Sequence, residues 1–98
     1  MMRVLCIYEV KGRSMQPFLR SGDYVLASRL YMKIAINDLI VVNHPRYGRI
    51  IKRVSNISHT LGVCLSGDNA ESVTSEEMGW VDRAQVDAKV ILSIKDKR

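Results

Sequence analysis

Short apolar runs rich in β-branched residues recur along this chain, and a turn signal stops each within a strand's length. Val4 to Val10 ends at Lys11-Gly12, and a second run opens at Tyr24 directly after Gly22-Asp23. Leu39 to Val42 stops at Asn43-His44-Pro45, Arg49 to Ile57 follows Tyr47-Gly48, and Leu61 to Leu65 ends at Ser66-Gly67-Asp68-Asn69. Val86 to Ile94 alternates well enough to be a closing strand. Any helix is short: Ser14 to Leu19 fits one turn and Tyr31 to Ile34 another. Strands at this spacing predict an all-β, mainly antiparallel, barrel-like sheet with at most one or two short helical turns. The segment 39–57 is a predicted hairpin. Residues 70–79 are polar, lack apolar periodicity and read as an irregular loop.

A chain of 98 residues fits one domain, 1–98, with a modest core. At 47% hydrophobic and 26% charged it has the composition of a globular protein. The net charge of +5 is spread out, densest over Arg46 to Arg53 and Lys95 to Arg98, and the aromatics are scattered. A nucleic-acid surface clusters its charge and adds stacking rings, so no nucleic-acid partner is expected. Peripheral contact with an anionic membrane face is compatible with the charge. No run reaches the roughly 18 apolar residues of a membrane span, and the N-terminal stretch meets a charge too early for a secretory leader. The expectation is a soluble, cytoplasmic protein. Cys6 and Cys64 lie in apolar runs without Cys-x-x-Cys spacing, which suits free thiols acting as small hydrophobes. His44 and His59 are isolated, so no metal or cofactor is expected.

Chemistry enters through the strand Arg49-Ile50-Ile51-Lys52-Arg53-Val54. Side chains alternate faces, so Ile50, Lys52 and Val54 share one face while Arg49, Ile51 and Arg53 share the other. The first face is apolar except for Lys52, which makes that lysine a candidate for burial. Desolvation disfavours a charged amine, and a neutral amine can act as a general base. A serine nucleophile needs such a base. Ser14, in Gly12-Arg13-Ser14-Met15-Gln16-Pro17, is the candidate, since neither histidine has a carboxylate at suggestive spacing. The competing reading makes Ser14 a helix cap and lets Lys52 extend its amine to water.

The stretch from Gly12 to Leu19, followed by Gly22-Asp23-Tyr24-Val25, resembles the serine box of bacterial type I signal peptidases and their soluble relatives. That box reads Gly-x-Ser-Met-x-Pro-x-Leu-x-x-Gly-Asp-x-Val. Asp38 to Val42 and Ile51-Lys52-Arg53-Val54 resemble the next two boxes, and Gly67-Asp68-Asn69 with Ser72, Ser75 and Gly79 resembles the last. The resemblance runs in order over residues 10 to about 92. It implies a serine-lysine peptidase with Ser14 as nucleophile, Lys52 as general base and the Ser14 N–H in the oxyanion hole. Some family members place a hydroxyl two residues before the nucleophile, where this chain has Gly12. The last box departs from the usual Ser-x-Asp-Ser-Arg; the resemblance implies a hydroxyl that orients the lysine, from Ser72 or Ser75, and the competing reading makes both solvated loop serines. Met15 and its apolar neighbours would shape a pocket for a small residue.

Signal peptidases proper carry membrane anchors and a large extra domain, and LexA-like self-cleaving repressors carry a DNA-binding domain before the serine. Neither fits the present sequence, so the expectation is a compact catalytic core that cleaves a protein substrate in trans. The substrate would lie as an extended strand along a sheet edge. Two alternatives stay open: a peptide-binding module on the same fold that does not cut, and a subunit related to LexA-like DNA-damage response proteins.

Overall fold

The structure, a computed structural model, describes residues 4–12, 14–30, 33–67 and 79–95. Among the described residues seven strands form one sheet: β1 (Leu5–Glu9), β2 (Tyr24–Ser28), β3 (Leu39–His44), β4 (Gly48–Ser58), β5 (Gly62–Ser66), β6 (Trp80–Val81) and β7 (Val86–Ile94). Their spatial order is β1-β2-β7-β3-β4-β5-β6, and every pairing is antiparallel. The sheet curls into a half-barrel, as the strand spacing predicts. Among the described residues there is no α-helix; a single 3-10 turn, Arg83–Gln85, leads into β7.

β3 explains why one sheet holds two cores. Ile40, Val41 and Val42 are all fully buried, so both faces of this central strand are covered. Ile40 and Val42 join Ile34, Val54, Val63 and Leu65 in a first cluster. Val41 joins Met15, Leu19, Val25, Ala27 and Ala88 in a second. A continuous apolar run of strand length has this consequence when it lies mid-sheet: there is no solvent face left for a polar residue.

Several expectations need correction. β3 does not stop at Asn43 but runs through His44, which pairs with Gly48. The His44 Nδ1 accepts hydrogen bonds from the backbone N–H groups of Arg46 (3.0 Å) and Tyr47 (3.2 Å), so the side chain closes the turn that Pro45 enters. The short β6 and the 3-10 turn have no apolar periodicity to announce them. Asp82 caps that turn by accepting from the Ala84 N–H, while Gln85 Oε1 accepts from the Asp82 backbone N–H. Gly62 opens β5 at φ +98°, and a Cβ there would sit 2.1 Å from the Val81 carbonyl oxygen, so only glycine lets β6 approach. Residues 14–19 form turns rather than a helix, although Leu19 N–H donates to Met15 C=O at 2.8 Å as in one helical turn. Lys33 and Ile34 lie in no helix, and Tyr31, Met32 and residues 70–78 of the expected loop lie outside the described residues. Cys6 and Cys64 are free and half-buried rather than fully enclosed.

Candidate active site

Ser14 sits in a loop whose two ends are held together. Val10 N–H donates to Asp23 C=O (2.8 Å) and Gly22 N–H donates to Val10 C=O (2.9 Å), extending the β1–β2 ladder to the base of the loop. Gly12 leaves that base at φ +83°, a conformation that strains a side chain bearing a Cβ. Met15 and Leu19 are then buried in the second core and fix the segment from beneath. Ser14 itself is half-buried and lines a groove of about 430 Å³ together with Tyr8, Met15, Arg49, Ile50 and Ile51. Lys11 and Gly12 line it as well.

Lys52 is 3% exposed and lies opposite Ile40 in the β3–β4 ladder. It shares its face with Val54 of the first core and with Ile50, which packs against that core. The predicted alternation holds in detail. Ile51 turns to the second core, and Arg49 and Arg53 lay their guanidinium groups over the rings of Tyr8 and Phe18, 5.3 Å from each centroid. An extended lysine with its amine in water is therefore not what the fold holds. The side chain is enclosed, and enclosure disfavours the charged form of an amine.

Ser14 and Lys52 are associated with different clusters. Met15, next to the serine, belongs to the second core, whereas the lysine's face belongs to the first. Ile50 and Ile51, the two residues before the lysine, are the part of β4 that lines the serine's groove; Lys52 is not among the lining residues. Gly67 is half-buried just beyond β5, while Asp68, Asn69, Ser72 and Ser75 lie outside the described residues. His44 is committed to the β3–β4 turn, where its ring also packs 4.9 Å from that of Tyr47, and His59 is exposed in the β4–β5 turn. Among the described residues no group of three or more His, Cys, Asp or Glu side chains is placed to hold a metal ion.

Two side-chain networks have no counterpart in the sequence pattern, and the first reaches the groove through Tyr8. Tyr8 Oη donates to Asp87 Oδ2 at 2.6 Å, and Arg29 Nη2 lies 3.7 Å from the same oxygen. Burial, then the hydrogen bond to Asp87, raises the Tyr8 phenol above its ordinary value. The bond with Tyr8, then the charge of Asp87, raises the Arg29 guanidinium. The second network joins Phe18, Arg53 and Lys95. Neither has a local signal, because its members come from strands far apart in the chain.

No protein-family model matches this chain, and a search of curated proteins finds none that matches. No helix among the described residues is long and apolar enough to cross a membrane.

Proposed function

We propose that this chain is a cytoplasmic serine endopeptidase in which Ser14 is the nucleophile and Lys52 its general base, cleaving a protein substrate in trans. The observation that carries the reading is the burial of Lys52 on the strand whose two preceding residues line the groove of Ser14. The neutral amine takes the Ser14 hydroxyl proton as Oγ attacks the scissile carbonyl carbon. The Ser14 N–H stabilises the resulting oxyanion, with no side-chain help from position 12 because Gly12 offers none. The ammonium then protonates the leaving amine. Water, deprotonated by the same lysine, releases the acyl group. The substrate lies as a strand along the edge of β1, which among the described residues pairs with β2 alone and whose residues Ile7, Tyr8 and Glu9 line the groove.

Digestion of a diverse peptide pool followed by mass spectrometry tests this. The wild type should cut and Ser14→Ala should not; cleavage retained in Ser14→Ala assigns the chemistry elsewhere. A second reading, a module that captures a peptide strand without cutting it, draws support from the position of Lys52 outside the groove lining. Peptide binding without any cleavage would favour it.

A further inference from the structure

We propose that Lys95 is a positioning residue for Ser14: it clamps the far end of the serine's loop onto the sheet through Phe18 and the buried carboxylate of Asp23. This rests on the reading of Ser14 as nucleophile. Lys95 follows the last residue of β7 and makes three contacts with one short stretch of chain. Its Nζ donates to the Phe18 carbonyl oxygen, lies 4.7 Å from the centroid of the Phe18 ring, and stands 3.8 Å from Asp23 Oδ2.

Two of the contacts fall on Phe18 and the third on Asp23. The Asp23 side chain is fully buried and also accepts from Arg20 N–H at 3.0 Å, so its carboxylate ties the loop's last turn together. A buried carboxylate needs a countercharge, and Lys95 supplies one at the protein surface. Phe18 is 47% exposed, so burial does not hold its ring; the cations on it do. One is Lys95. The other is Arg53, the residue after Lys52, which also donates to Asn37 C=O at 2.9 Å. Phe18 thus joins the serine's loop to the lysine's strand on one side and to the end of β7 on the other. Met15 and Leu19 hold the loop from inside, and Lys95 holds it from outside. Without the outer clamp, the Ser14 hydroxyl keeps its apolar anchors but loses a fixed distance to β4. Misplacement on the order of 1 Å is enough to slow an attack about a hundredfold.

The test uses Lys95→Met, Lys95→Arg and Phe18→Leu in the whole chain, with two readouts. Amide hydrogen exchange over residues 14–22 should quicken at least about tenfold in Lys95→Met, while the 39–57 hairpin keeps its protection. Acylation of Ser14 by an organophosphonate should slow by about ten- to a hundredfold in its rate constant, with the probe's binding constant little changed. Lys95→Arg should recover most of both, and Phe18→Leu should show an intermediate loss. Unchanged exchange over 14–22, or equal loss of protection in the hairpin, would overturn the clamp. A wild type that never labels overturns the nucleophile reading, and the exchange data then still decide whether Lys95 holds the segment.

Discussion

Ile40 of β3 stands directly opposite Lys52 of β4, and both side chains are buried, the isoleucine completely. An amine in that position is costly to keep charged, which is a reason to expect it at a site that uses the neutral form. The same enclosure carries a desolvation cost that the lysine's own interactions must offset.

Lys52→Met keeps most of the side-chain volume and removes the amine. It is expected to abolish cleavage yet stabilise the protein at neutral pH by about 1–3 kcal/mol, after allowance for hydrogen bonds lost with the amine. Denaturant unfolding of the two proteins measures this. A variant less stable than the wild type would mean that Lys52 is held by partners worth more than its desolvation costs.

The period-two pattern around Lys52 made its burial legible, because five neighbouring residues on one strand state which face each belongs to. β7 was legible to the residue, Val86–Ile94, for the same reason. His44 was not, since Asn43 and Pro45 on either side read as a stop; only the ring nitrogen's bonds to the turn show why the ladder persists. β6 has two residues, too few for any period. The Lys95–Phe18 contact joins positions 77 apart, and nothing local announces such a pair. Of the candidate site, Ser14 and Lys52 have defined surroundings, while Ser72 and Ser75 lie outside the described residues.

Tyr8 carries a pH-dependent share of stability. Its phenol is raised above the ordinary value by burial and by the bond to Asp87, so the folded state holds the proton more tightly than the unfolded chain. The stabilisation is complete below the unfolded value of about 10 and is lost as pH rises through the folded value. Tyr8→Phe should cost about 1–2 kcal/mol at pH 7, the range of a hydrogen bond to a carboxylate at a partly open site. The gap between wild type and variant should close above pH 10. A gap independent of pH in alkaline unfolding curves would contradict the assignment.

His44→Ala removes the acceptor for two turn N–H groups. The expected loss is about 1–2 kcal/mol in unfolding free energy, with cleavage by the folded protein changed no more than a few-fold. His59→Ala should leave both within error. If His44→Ala folds well but loses cleavage, the general base is His44 rather than Lys52.

Gly62→Ala places a Cβ against the Val81 carbonyl at a residue with φ +98°. It should cost about 2 kcal/mol or more and release β6 from β5 first. Exchange protection at Val63 and Val81, compared with that of the β3–β4 hairpin, reads the local loss. Equal loss in both places would show instead that β6 unfolds only with the whole sheet.

The dyad itself is tested most directly by intact-mass measurement after exposure to an organophosphonate probe, with the adduct mapped by peptide sequencing. Wild type should take up one probe, on Ser14; Ser14→Ala should take up none; and Lys52→Met, folded by the same unfolding assay, should label at least about a hundredfold more slowly. Labelling of Lys52→Met at the wild-type rate would show that Ser14 is activated without the lysine and would contradict the central claim.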